Sequence, residues 1–346
     1  MPLTKLQFKP GINRDVTSYS NEGGWVDSDK VRFRLGFPEK IGGWVKYSSN
    51  TFLGTCRALH TWVTLNGTQY LGLGTHLKYY LEIGQAFSDI TPIRKTSTNS
   101  ITFAATNGSS TITVTDSSNG VVENDFVTFS GAVSLGGLVT AAVLNQEYQV
   151  IGVTDANTYT ITAKDTDGVT VTANSSDSGN GGSGVDGSYQ INVGLDTEVG
   201  GTGWGAGTWG RSTWGSGADI SATTELRLWS HDNFGEDLII NPRDGGVFYW
   251  DASVENAFTT RAVEIGTLTG ASDTPTVAKQ IMVSDNSRHV IAFGTNTINT
   301  TVQDSLLIRF SDQESFLDWT PQATNSAGDL RIGSGSNFVR AIETKR

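Results

Sequence analysis

The chain has 346 residues and a net charge of −11, with 41 glycines, only 7 prolines and one cysteine. A lone cysteine excludes an intrachain disulfide, so packing alone must hold the fold and nothing calls for an oxidising compartment. No apolar run reaches membrane-helix length. The opening MPLTKLQFKPGINRD has no apolar core, which predicts no secretion signal. Helical spacing of apolar residues is absent from every window, while short alternating runs recur, so the expected class is all-β with many turns.

Residues 1–50 read as an extended N-terminal arm and first strand. Lys30 to Pro38 alternates base with apolar residue, the pattern of one strand with a wet face. Eight Lys/Arg against five acids make the segment basic. A solvated edge strand explains that; a basic arm docking on an acidic partner or touching nucleic acid is the sharper alternative. Cys56 follows in the β-like run Thr55 to Leu59, where a buried, inert thiol is expected.

Residues 57–93 predict a four-strand unit: Ala58–Val63, an Asn66-Gly67 hairpin turn, Gln69–Leu73, Leu77–Leu81 and Ile90–Ile93. Residues 226–263 repeat it, with strands Leu226–Trp229, Leu238–Ile240, Val247–Trp250 and Thr259–Val263, and turns at His231-Asp232-Asn233 and Pro242–Gly246. Residues 279–321 repeat it again: Gln280–Val283, a turn at Asp285-Asn286, His289–Phe293, then the hairpin LLIRFSDQESFLDWTP. In that hairpin the strand Leu306–Phe310 breaks at Ser311 and Asp312 and returns through Phe316 to Thr320, with Trp319 lying back over it. Phe338–Ile342 would begin a fourth unit.

Unit starts at 226, 279 and 337 are spaced by 53 and 58. The starts at 57 and 226 are separated by 56 once residues 97–190 and 200–218 are set aside. A fixed β period of this size predicts β-propeller blades, each a four-stranded antiparallel sheet that must stack on its neighbours. The propeller therefore spans 51–96 and 191–346 and is incomplete. Either the chain is the N-terminal part of a longer protein, which the ending in mid-blade favours, or other chains complete the ring.

Residues 97–190 hold nine acids against Lys164 alone, a block of −8 that leaves −3 for the rest. That shift marks an inserted acidic β-domain, a small barrel or sandwich of five or six strands. Entering and leaving through a loop, it should project from the scaffold. Beyond it, Trp204, Trp209 and Trp214 recur every five residues among glycines, with Arg211 between them. An irregular loop packed on the propeller explains this; a subunit-contact or ligand-facing loop is the functional alternative.

Chemistry is sparse. His60, His76, His231 and His289 lack metal-ligand spacing, and no phosphate-binding or nucleophile-elbow motif occurs. Gly72-Leu73-Gly74 sits in β context. Asp165, Asp167 and Asp177 lack the framework of a calcium loop. Neither a catalytic residue, a cofactor nor a metal is expected. Ser311, Asp312 and Trp319 resemble the Asp-box turn of sialidase-type propellers, but Gln313-Glu314 replace its glycine and the tryptophan stands too far on. That turn is expected to be structural.

Three strings carry a family resemblance: FKPGINRDVTSYSNEGGWVDSDKVRFRLGFPEKIGGW, WGAGTWGRSTWG and IRFSDQESFLDWTPQATNSAGDLRIGSGSNFVRAIET. They are similar to packaged-DNA stabilisation proteins that form the tail hub, or nozzle, of short-tailed bacteriophages. Within the insert, ITVTD, NDFVTFSGA, LNQEYQV and DANTYTIT resemble a β-module recurrent in phage tail proteins. The resemblance implies a virion structural protein, not an enzyme, in a homo-oligomeric ring of about six copies. It also implies a tail adaptor and other tail proteins as neighbours, and double-stranded DNA passing without sequence recognition. The rival class is a receptor- or carbohydrate-binding module with the loop tryptophans as sugar platforms.

Overall fold

The computed structural model describes residues 8–43, 45–176, 180–193, 226 and 228–344. The chain divides into two compact units, residues 1–49 and 50–346.

In the first unit, β1 (Val31–Arg34) and β2 (Phe37–Lys40) form a hairpin. The alternating run is thus two strands and not the one expected. Leu35 and Gly36 both take positive φ, at 51° and 86°, which is the two-residue turn matched to the twist of a hairpin. Arg32 pairs across it with Glu39 at 3.2 Å. Trp25 packs its ring against Phe8 and Phe33, and Asn21 holds the Asn13 and Trp25 carbonyls.

The second unit is all-β and propeller-like. Its first blade is the meander β3 (Cys56–Val63), β4 (Gln69–Thr75), β5 (Tyr79–Ile83) and β6 (Ala86–Asp89). The Asn66-Gly67 turn forms as read, with Gly67 at φ 84° and the Asn66 amide oxygen accepting from the Thr68 N–H. The fourth strand comes earlier than Ile90–Ile93, because Gly84 and Gln85 both take positive φ and reverse the chain in two residues. Cys56 is exposed, against expectation: it opens β3 at a bulge, where the pairing slips between Cys56 and Ala58.

The insert follows as eight strands and one short helix. These are β7 (Ile93–Ser97), β8 (Thr102–Ala105), β9 (Thr111–Thr115), β10 (Phe126–Ser130), α1 (Ala141–Leu144), β11 (Glu147–Gln149), β12 (Gly152–Asp155), β13 (Thr158–Thr162) and β14 (Asp186–Gln190). They make two four-stranded sheets, β11-β10-β14-β7 and β12-β13-β9-β8. Both sheets bury alternate residues, among them Phe103, Ile112, Val114, Phe129, Tyr159 and Ile161, in one shared core. Short runs such as Ile93–Ser97 and Thr102–Ala105 escaped the sequence count because they are brief and partly polar.

The second blade comprises β15 (Trp229–Phe234), β16 (Asp237–Pro242), β17 (Phe248–Trp250) and β18 (Val263–Glu264). Here the expected turn at His231-Asp232-Asn233 lies inside β15. The reversal is made by Gly235, at φ 74°, and Glu236. Thr259 ends a 3₁₀ turn, so the last strand starts only at Val263.

The third blade comprises β19 (Gln280–Val283), β20 (Val290–Phe293), β21 (Leu307–Phe310) and β22 (Gly328–Arg331). Its last strand is not the expected return through Phe316 to Thr320. Asp312 accepts from the Ser326 N–H and hydroxyl, and Asp318 accepts from Ser272 and Asn325. These bonds fix residues 311–326 as a loop. Residues 338–342 form no regular strand; they lie beside β19, where the Gln280 amide bonds both the N–H and the carbonyl of Ala341, at 2.8 and 2.6 Å.

One buried node ties the insert to two blades. Lys78, 2% exposed in its side chain, reaches Asp89 at 2.7 Å and Glu147 at 2.5 Å and lies 4.5 Å over the Phe126 ring. Gln190 donates to both carboxylates, and Arg261 of the second blade contacts Asp89 at 3.1 Å. Burial pushes the Asp89 carboxyl upward, but Lys78 and Arg261 outweigh it and hold it below the usual range. Replacing Lys78 with Met is expected to cost about 3 kcal/mol, because it leaves a partly buried carboxylate cluster without its central cation. Glu147→Gln, which keeps an acceptor at that position, should cost about 1 kcal/mol. Denaturant unfolding of both variants checks this ranking, and equal losses would contradict it.

Candidate functional site

The innermost strands β3, β15 and β19, with residues 339–343, enclose a cavity of about 450 Å³. Three blades and a fourth inner segment thus line one axis. An innermost strand has a ladder partner on one side only, so half of its backbone groups need other partners. In β19 the Ile281 N–H donates to Ser230 Oγ at 2.9 Å, and the Val283 N–H to Asp232 Oδ2 at 2.8 Å. Burial raises the Asp232 carboxyl, opposed by the backbone N–H groups of Val283 and Asn233.

Aromatic side chains fill the junctions between blades. Between the first and second, Trp62 stacks on Tyr70 and both meet the Trp250 edge, while Tyr79 meets Trp229 edge-on at 4.9 Å. Between the second and third, Tyr249 stacks on Phe316 at 4.2 Å. Such pairs contribute about 1 kcal/mol each beyond their buried area. The indole N–H groups are placed as well: Trp229 donates to the Thr75 carbonyl and Trp62 to that of Glu236.

His60 and His231, 171 positions apart in the sequence, meet at the first junction with ring centroids 4.9 Å apart. Tyr79 Oη lies 2.9 Å from His231 Nδ1, and His60 Nε2 lies 2.6 Å from Asn233 Oδ1. Burial, then the neighbouring His60, pushes His231 down to about 3, with a bond to the Leu59 carbonyl opposing. His76 accepts from the Thr55 N–H, and His289 bonds the Ser311 carbonyl.

Ser311, Asp312 and Trp319 do not line this cavity. Ser311 is fully buried, accepting from the Val290 N–H and donating to the Asp312 carbonyl. Trp319, 1% exposed, donates its indole N–H to Phe316 and its backbone N–H to Ser272. Buried Arg309 bonds the Asp273 carboxylate at 3.1 Å beneath the same loop. Trp204, Trp209, Arg211 and Trp214 lie outside the described residues, as does Asp177. Asp165 accepts from the backbone of Asp167 and Val169, closing a local turn. Among the described residues no group of three or more His, Cys, Asp or Glu could hold a metal ion, and no helix is long and apolar enough to cross a membrane.

No protein-family model matches the chain, and no curated protein matches it. Among solved structures it is similar to a phage phi92 endosialidase, with a TM-score of 0.21 and 13% identity over 87% of this chain. The match spans 41% of that structure's chain.

The glycines of β4 set the first junction. A Cβ on Gly74 would stand 2.3 Å from the Trp229 indole, and one on Gly72 would stand 2.5 Å from the Tyr79 hydroxyl. Gly74→Ala is therefore expected to cost about 2 kcal/mol by overpacking. Calorimetry gives the loss, and tryptophan emission should shift to the red; an unchanged melt and spectrum would show that the sheets separate freely.

Proposed function

We propose that the chain is a structural component of a short-tailed phage tail, forming with other copies a ring or nozzle segment that conducts and retains packaged DNA. The observation that carries this reading is the stacking of blades about one axis, sealed by aromatic junctions without a disulfide. The resemblance to tail-hub proteins read in the strings of the arm, the Gly/Trp loop and the third blade motivates it. Ser230, Asp232 and Gln280, which line the axis, serve bonding between inner segments, as a scaffold requires.

A conduit for DNA must not grip phosphate, because each Lys/Arg–phosphate contact adds salt-dependent affinity and resists sliding. A chain of net charge −11 suits that demand. Two measurements test the reading. Cryo-electron microscopy of virions labelled against the protein should place it in the tail; a label confined to the capsid would end the proposal. A gel shift with linear duplex DNA at about 150 mM salt should show no retained complex, whereas a salt-resistant complex would argue for a DNA-gripping role instead.

A further inference from the structure

The first blade junction is held by uncharged rings in a place where charge is costly. His231 Nδ1 faces the Tyr79 hydroxyl, and the Leu59 carbonyl beside the ring favours a proton on it. With one ring proton given to that carbonyl, Nδ1 is the acceptor and Tyr79 the donor. The Tyr79 side chain is fully buried, so its hydroxyl has no water to turn to. Beside the ring lies His60, itself bonded to Asn233 of β15. The cavity that His231 lines carries Arg57, Arg243, Lys279 and Arg340 against Asp232 and Glu343. Both carboxylates accept from backbone N–H groups of the third blade, Val283 and Asp285.

We propose that His60, His231 and Tyr79 form an acid-sensitive latch between the first and second blades, shut while His231 is neutral and opened when it takes up a proton. Protonation at Nδ1 replaces an acceptor by a donor, so the Tyr79 O–H and the ring N–H then point at one another. The hydroxyl loses its acceptor inside the junction. The new cation stands beside the His60 ring, with no carboxylate of the described residues bonded to it. Opening moves β3 from β15 and lets water reach the ring, which restores its ordinary basicity. The third blade, joined to the second through Ser230, Asp232 and the Tyr249–Phe316 stack, keeps its contacts.

The pH window separates this latch from other acid-labile groups. A histidine with a depressed folded value loses stability as pH falls below its free value, near 6.5, and goes on losing it down to its folded value. The carboxylates held low by partners, Asp89 and Asp116, act only below their ordinary range. With His231 at about 3 in the closed state and about 6.5 when open, the opening constant should rise about 30-fold between pH 8 and pH 5.

Hydrogen exchange of the full chain at pH 8 and pH 5, corrected for intrinsic rates, is the test. Amides of β3 and β15 should lose about 30-fold in protection, while those of β19–β22 and of the insert stay unchanged. His231→Gln should flatten the difference to under about 3-fold. Should that variant fail to fold, NMR titration of the wild-type His231 ring decides: its protonation should coincide with loss of β3 protection. The latch is refuted if all blades lose protection together, if the glutamine variant keeps the acid response, or if the ring titrates near 6.5 with the junction shut.

Discussion

Every blade of this protein faces the same difficulty at its inner edge. The innermost strand has a neighbour in its own sheet on one side and the axis on the other, leaving N–H groups that the ladder cannot satisfy. Side chains of the preceding inner strand supply the missing acceptors. Ser230 and Asp232 of β15 serve Ile281 and Val283 of β19, and Gln280 of β19 serves Ala341. A polar side chain that meets this need cannot be exchanged for an apolar one without orphaning a buried donor. Inner strands therefore mix polar side chains such as Ser230, Asp232 and Gln280 with buried apolar ones such as Trp229, Ile281 and Val283, which pack between the blades. The hydrophobic contacts supply most of the cohesion; the polar ones set which strand follows which.

The guest domain is joined to this series by a different means. Its sheets have a core of their own, yet Glu147 and Gln190 converge on Lys78 and Asp89 of the first blade, and Arg261 of the second closes the group. A buried ion group of this kind contributes little net stability, but it tolerates few geometries. It fixes where the insert stands relative to two blades. A hinged appendage would need no such node.

Element type was legible in the sequence where a short apolar run stood clear, as in Leu238–Ile240 and Gln280–Val283, and where Asn66-Gly67 announced a turn. It failed where side chains served a neighbouring blade. His231-Asp232-Asn233 carries the polarity of a turn, yet those residues sit in a strand because their partners are His60, Val283 and Tyr79. Turns made by Gln85 and Leu35 in left-handed conformations carry no strong composition signal of their own, so strand ends near them were misplaced. Ser311, Asp312 and Trp319 were singled out as one local turn; bonds from Asp312 N–H to the Asp318 carbonyl and from the Trp319 indole to Phe316 close the segment locally, and others, not visible in the sequence, reach Val290, Ser326 and Ser272. The pairing of His60 with His231 was invisible, because only the stacking of two blades brings them together.

The same logic changes the meaning of the acidic segment. Its strand β7 begins at Ile93, so Arg94 and Lys95 belong to it and the block falls from −8 to −6. Much of that charge is spent internally. Asp116, 2% exposed, accepts from Ser97, Tyr189 and Lys95. Asp125 contacts Arg94 at 3.5 Å, and burial raises its carboxyl. Glu147 faces Lys78. The acids left on the surface include Glu123, Asp155 and Asp167, near exposed Val122, Val153 and Val169. A partner of this domain would therefore meet dispersed charge among apolar side chains and not a continuous acidic field. Contact of that kind depends on shape and short-range packing more than on long-range attraction, which salt screens within about 8 Å.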